Sequence, residues 1–259
     1  MDLGLQGKKA IICASSRGLG RGCATQLARA GCEVVLNGRD EATLGETADA
    51  IRSETGATVH AVAADVGTPD GQAKLLAACP APDILVNNNG GPPRKDFRQL
   101  DRQAMIDGVV QNMVTPIELM QAVIDGMAER RFGRIVNITS LSVYMPIEGL
   151  DLSSGARAGL TAFIAGVART VIDRNVTING LLPGKMDTDR LRGGFAFGAK
   201  AAGTTPEAEA DRQRQAIPAK RFGEADEFGA ACAFLCSAHA GYITGQNLRL
   251  DGGLYRSAF

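Results

Sequence analysis

Short β-rich apolar runs alternate along the whole chain with longer segments whose apolar residues recur every three or four positions, and no other feature restricts the fold as tightly. The runs at 10–14, 33–36, 58–63, 83–86, 134–138 and 176–181 read as strands, and 19–30, 41–53, 72–78, 102–130 and 155–173 as helices. Parallel neighbours in a sheet need crossover connections, and here the crossovers are helical. The expected architecture is a single α/β domain over 1–259, a doubly wound parallel sheet of about seven strands with helices on both faces. One segment, 185–214, is rich in Gly, Ala and charge with weak periodicity, and it reads as a lid or insertion with short helices.

Composition narrows the function. The 259 residues carry 28 Lys+Arg against 28 Asp+Glu, so there is no positive excess to grip a phosphate backbone, and nucleic-acid binding is not expected. Aromatics make up 5% with no Trp, which also removes the stacking platforms of single-strand readers. Six cysteines, at 13, 23, 32, 79, 232 and 236, form no C-x-x-C pair, and only His60 and His239 could join them as metal ligands. No metal site or disulfide framework is expected, and Cys232 and Cys236 read as small buried thiols in a reducing compartment. The opening MDLGLQGKKAIICASS has too few apolar residues after its basic pair for a secretory leader, and the uncharged stretch 228–247 is too interrupted for a membrane span. A cytoplasmic protein is expected.

The first strand runs into Cys13-Ala14-Ser15-Ser16-Arg17-Gly18-Leu19-Gly20 and then directly into a helix. In a doubly wound sheet a dinucleotide pyrophosphate sits at this junction, against free backbone N–H groups at the positive end of the helix. The alternative, an ordinary glycine turn, does not account for its place at the first strand-to-helix junction.

Several further motifs follow in order. Cys13 through Gly20 resembles T-G-x-x-x-G-x-G, with Cys13 for Thr and Ala14 for the first Gly; Asp83 through Gly90 resembles D-I-L-V-N-N-A-G, with Asn89 for Ala. Gly133 through Ser140, then Pro183-Gly184 with Thr188, then Arg221-Phe222-Gly223, Ile243 through Gln246 and Asp251-Gly252-Gly253 complete the series. Over nearly its whole length the chain resembles the short-chain dehydrogenase/reductase family, in its 3-oxoacyl-(acyl-carrier-protein) reductase-like branch. The resemblance implies a Rossmann-type fold. It also implies a nicotinamide cofactor held by Ser15, Ser16, Arg17, Gly18, Leu19, Gly20, Asn88, Asn89, Gly90, Arg157, Pro183, Gly184 and Thr188, and a carbonyl or secondary-alcohol substrate. Asp65 and Val66 fall where the family contacts adenine, although Asp65 is equally readable as a helix N-cap.

Charge around the adenosine ribose selects the cofactor. An acid after the second strand would accept the NAD 2′-hydroxyl and repel a 2′-phosphate, yet that strand ends Leu36-Asn37-Gly38-Arg39. Arg17 and Arg39 could converge on the phosphate with their planar forks, or stand as solvated turn residues. NADP(H) is expected over NAD(H).

The catalytic motif departs from the family. Counting the usual thirteen residues from Ser140 reaches Ser153, and Y-x-A-S-K-A-G-L reads Ser153-Ser154-Gly155-Ala156-Arg157-Ala158-Gly159-Leu160, so Tyr is Ser and Lys is Arg. An aliphatic hydroxyl is a far weaker acid than a phenol, and a guanidinium cannot relay protons as an ammonium can. Ser140 and Asn112 keep the family's residue types, while Tyr144 and Lys185 are candidate replacement acids. Two readings follow: an NADP(H)-dependent oxidoreductase working through Ser140, Ser153, Arg157, Asn112 and water, or a catalytically impaired NADP(H)-binding homologue with a sensing or assembly role. The small residues of 155–173 and the helix 102–130 fall at the family's dimer faces, so a homotetramer is expected.

Overall fold

Val, Ile and Leu dominate the strand segments, and the five inner strands of the sheet they form are buried on both faces, while the two edge strands are partly open. The computed structural model describes residues 2–92 and 94–257, the side chains of Phe197 and Ala201 apart. The seven strands are β1 (Lys9–Ile12), β2 (Glu33–Gly38), β3 (Val59–Ala63), β4 (Ile84–Asn87), β5 (Gly133–Ile138), β6 (Val176–Pro183) and β7 (Asn247–Leu250), in the order β3-β2-β1-β4-β5-β6-β7. Every pairing is parallel. The strand order reverses between β1 and β4, and in such sheets ligands bind in the crevice beyond the carboxyl ends at that point.

The helices are α1 (Gly18–Arg29), α2 (Glu41–Thr55), α3 (Pro69–Ala78), α4 (Arg102–Val109), α5 (Thr115–Glu129), α6 (Asp151–Val167), α7 (Asp189–Ala202), α8 (Pro206–Gln215) and α9 (Ala225–Cys236). One apolar cluster joins α1, α2 and α9 to one face of the sheet, and a second joins α3, α5 and α6 to the other. On the first face α1 crosses α9 with almost no side chain between them: a Cβ on Gly229 would overlap the Gly22 carbonyl, and one on Gly22 would overlap that of Ala225. All six cysteines are free and buried. Burial pushes the Cys13 and Cys32 thiols up to about 12, so both pack as small hydrophobes. No helix among the described residues is long and apolar enough to cross a membrane.

Three differences from the sequence reading matter for the site. The strand expected over 10–14 stops at Ile12, because Ala14 takes φ 45° and turns the chain. The helix expected over 102–130 is broken at Val110–Val114 by a π-helical turn, a local widening that periodicity does not register. The helix expected from 155 starts at Asp151, so Ser153 and Arg157 stand on one turn of α6. The segment 185–214 contains two helices, α7 and most of α8, joined where the buried Glu209 carboxylate accepts Arg212 and Gln213 and abuts Gly198.

Candidate active site

The turn after β1 is held from both sides. Ser15 Oγ donates to the Ile12 carbonyl at 2.8 Å and accepts from the Asn37 amide at 3.0 Å, while Asn37 Oδ1 accepts from the Ala14 amide at 3.2 Å. The Ser15 side chain is thus a fully buried tether between the turn and β2, leaving its backbone as the part of this residue that belongs to the turn. A Cβ on Gly20 would overlap the Ala14 carbonyl, so glycine is what lets α1 begin directly on the turn. Arg17 is the N-cap residue, and its side chain does not cap the helix. The amide groups of the first turn are therefore left to an external acceptor, the arrangement that receives a phosphate. The Cβ position of Gly18 faces Thr188 Cγ2 at 3.5 Å, so the residue that caps α7 closes over this turn. Pro183 ends β6, and Gly184 packs so closely on Asp251 that a side chain there would collide with it. Leu19, half-buried, packs on the adjoining core.

At the β2 end Arg39 is exposed, and Arg17, also exposed, donates from Nη2 to Thr43 Oγ1 at 2.9 Å. Thr47 Oγ1 donates to the Ser16 carbonyl at 2.8 Å, tying α2 to the turn. Asp65 is exposed and makes a local turn by accepting from the Gly67 amide at 2.9 Å. It is not the helix cap: Thr68 caps α3, accepting from the Gly71 amide at 3.1 Å. Val66 is buried in the core and its carbonyl accepts from Gln72 at 3.2 Å, while the second carboxylate oxygen of the exposed Asp65 stays open beside it.

Beyond β4 and β5 lies a narrow cleft, lined by Asn88, Asn89, Asn112, Ile138 and Arg157 among others. Asn88 donates to the Ala14 carbonyl at 3.1 Å, joining the cleft to the phosphate-binding turn, and Asn89 donates to the Gln111 carbonyl at 3.3 Å and accepts from the Gly90 amide. Asn112, on the π-turn, is 2% exposed; its Nδ2 donates to the Gly108 carbonyl and its Oδ1 has no partner. Such an orphaned buried acceptor calls for a donor from water or ligand.

Arg157 forms the floor. It is 8% exposed, with Nη1 donating to the Ile138 carbonyl at 2.7 Å and Nε to Ser153 Oγ at 3.3 Å. Burial, and after it the charge of Arg190, lowers its pKa to about 10, which leaves it a cation at neutral pH. Ser140 is half-buried where β5 ends, and its Oγ accepts from the Ser142 amide at 3.1 Å. The two candidate replacement acids lie elsewhere. Tyr144 packs on Tyr255, with Arg249 over both rings. Lys185 donates to Gln213 on α8 at 3.1 Å and lines a separate hollow with Arg221 and Asp251. Arg190, at the start of α7, went unremarked in the sequence because acids flank it; only the fold reveals that they pair with a different arginine.

Comparison with known proteins agrees with this geometry. The family model described as enoyl-(acyl carrier protein) reductase matches residues 13–255. The 3-oxoacyl-(acyl-carrier-protein) reductase of Vibrio cholerae is 33% identical over 261 residues, covering 98% of this chain and 99% of that protein. An oxidoreductase of Bacillus subtilis, YvaG, is 30% identical over the full length of both chains. Among solved structures, L-sorbose reductase from Gluconobacter frateurii, complexed with NADPH and L-sorbose, superposes with a TM-score of 0.93 at 27% identity, covering 99% of this chain and 100% of that one. The NADPH-dependent reductase YwfH, involved in bacilysin biosynthesis, gives 0.90 at 28% identity over 97% and 100%. Sequence, sheet order and site together establish that the chain belongs to the short-chain dehydrogenase/reductase family of oxidoreductases.

Proposed function

We propose that this protein is an NADP(H)-dependent oxidoreductase acting on a carbonyl or secondary alcohol, with the Ser153–Arg157 pair in place of a phenol and an ammonium. The observation that carries the reading is the Arg157 guanidinium, buried on the cleft floor and still cationic, beside the unpartnered Oδ1 of Asn112. The nicotinamide cofactor, when bound, supplies or accepts the hydride. The free amides of α1, the glycine at 20 and the cap at Thr188 suit its pyrophosphate, and the NADPH-dependent structural relatives favour the phosphorylated form. Arg17 and Arg39 would hold the 2′-phosphate, both being exposed at the end of β2 with no acid paired to either among the described residues.

Arg157 supplies the fixed positive charge that stabilises oxygen as it becomes an alkoxide, an effect that is large where water is excluded. Ser140 reaches the same end of β5 and can donate its hydroxyl to the substrate oxygen. Asn112 holds a water through Oδ1, and that water relays the proton from solvent, because Ser153 Oγ is engaged with Arg157 Nε beneath the cleft. Ser153 acts by accepting from Arg157 Nε and fixing the guanidinium. The impaired-homologue reading draws on this same bond, since a hydroxyl committed beneath Arg157 is poorly placed to donate. NADPH fluorescence titration, followed by NADPH oxidation with β-ketoacyl thioesters, ketones and quinones, separates the two. Saturable oxidation with at least one class supports the enzyme; tight binding with no oxidation by any class supports the sensing or assembly role.

A homotetramer is part of this reading. Met105, Ile106 and Val109 of α4 and Phe163 of α6 are exposed, and Ala162, Ala165 and Gly166 flank Phe163 on an open helix face. Sedimentation at micromolar concentration should give four chains, and a monomer there refutes it. The six buried free thiols fit a reducing, cytoplasmic setting.

A further inference from the structure

Against the turn that carries Asn88 and Asn89 into the cleft stands an arginine that no carboxylate among the described residues answers. Arg190 lies in the first turn of α7, two residues past Thr188, and is exposed. Its guanidinium rests against the turn after β4, where a Cβ on Gly91 would stand 2.8 Å from Nη2 and 3.2 Å from Nη1, so the glycine makes room for it. The acids on either side, Asp187 and Asp189, both turn to Arg192, at 2.9 and 3.4 Å. Arg94 follows the same turn and packs beside Gly149, just ahead of α6, on the side of the cleft away from the β2 end. Partial burial and then the charge of Arg94 lower the pKa of Arg190, and burial and then Arg190 lower that of Arg157. Arg157 on the cleft floor, Arg190 against the turn after β4 and Arg94 beside Gly149 thus form a row in which each arginine feels the charge of the next, and among the described residues none of them forms an ion pair. Uncompensated like charges repel, and a bound oxyanion that accepts from paired guanidinium forks removes that cost.

We propose that the substrate carries a carboxylate which Arg190 and Arg94 hold at the cleft mouth, so that oxo acids or hydroxy acids are preferred over neutral ketones and alcohols. This rests on the proposed reading of the cleft as a carbonyl or alcohol site. The cofactor's phosphates are the competing occupant, but the turn that receives them lies towards β2, whereas Arg94 flanks the start of α6.

The test uses matched pairs that differ only in charge, acetoacetate with methyl acetoacetate and pyruvate with methyl pyruvate, titrated by calorimetry into the NADPH-loaded protein. The charged member of at least one pair should bind about tenfold tighter or more, as a charge-assisted contact implies. Arg190→Gln and Arg94→Gln should each erase most of that ratio while the NADPH Kd stays within about threefold. Three outcomes overturn the proposal: no charged member binding tighter than its ester, a ratio unchanged in both variants, or a loss in Arg190→Gln confined to NADPH affinity. Because binding is read directly, a charge preference without NADPH oxidation leaves the carboxylate site standing, and the oxidoreductase reading then falls only if the wider carbonyl panel also fails to oxidise NADPH.

Discussion

Arg157 Nε donates to Ser153 Oγ across 3.3 Å within one turn of α6, while Nη1 of the same guanidinium reaches the Ile138 carbonyl at 2.7 Å. The two residues that depart from the family's catalytic motif are therefore bonded to each other, and the cation is anchored to the last residue of β5, two positions before Ser140. Restoring the family pair as Ser153→Tyr with Arg157→Lys reintroduces a tunable acid. NADPH oxidation should rise by about 10²–10⁴-fold, the usual contribution of general acid–base assistance. Ser153→Tyr alone should gain much less, since the ring would meet an unmoved guanidinium; steady-state rates of the three proteins decide this.

Ala14 holds φ 45°, a conformation that costs an L-residue with a Cβ roughly 1–2 kcal/mol. Glycine suits the position better, offset in part by its larger unfolded-state entropy. Ala14→Gly should stabilise the protein by about 0.5–1 kcal/mol in thermal or urea melts, and Gly20→Ala, whose Cβ overlaps the Ala14 carbonyl, should destabilise it by about 1–3 kcal/mol and weaken NADPH binding.

Cofactor choice should follow the charge at the end of β2. Arg39→Asp places an acid where NAD-binding relatives of this fold bind the ribose hydroxyl and removes a guanidinium from the 2′-phosphate. NADPH affinity should fall by about 10–100-fold and NADH affinity should hold or rise, the loss being that of one charge-assisted contact. Equal effects on both cofactors would mean that Arg39 is a solvated turn residue.

Acid should loosen the contact between α7 and α8 and the start of α9. The Glu209 carboxylate, gripped by Arg212 and then Gln213, sits at about 2 against an ordinary 4.5, and Glu227, gripped by Arg221 and the Glu224 amide, is also held at about 2. A carboxyl whose folded pKa is depressed contributes stability above its unfolded value and loses it as pH falls towards the folded one. Stability should therefore decline between about pH 4.5 and 2. Melts across that window should be flatter in Glu209→Gln, with hydrogen exchange in α7 and α8 accelerating first in the native protein.

Much of this was legible in the chain itself. Alternating runs fixed the parallel sheet because strand burial and helix amphipathicity have different periods, and the turn at 13–20 could be placed because glycine spacing is a local property. The π-turn at Asn112 escaped because one extra residue barely disturbs an apolar stripe. The inward turn of Ser15, the burial of Val66 and the pairing of Asp187 and Asp189 with Arg192 escaped because each depends on contacts between distant or competing partners. The substitutions at 153 and 157 could be read directly, but their bond to each other and to Ile138 needed the fold.

The central claim is that Arg157 supplies the charge stabilisation on which reduction depends. Single-turnover oxidation of bound NADPH, compared between the native protein and Arg157→Met with any carbonyl the native protein reduces, tests this most directly. The account predicts that the rate constant falls by about 10²–10³-fold, the usual effect of removing one group that stabilises a developing oxyanion. An unchanged rate constant at saturating NADPH and substrate would contradict it.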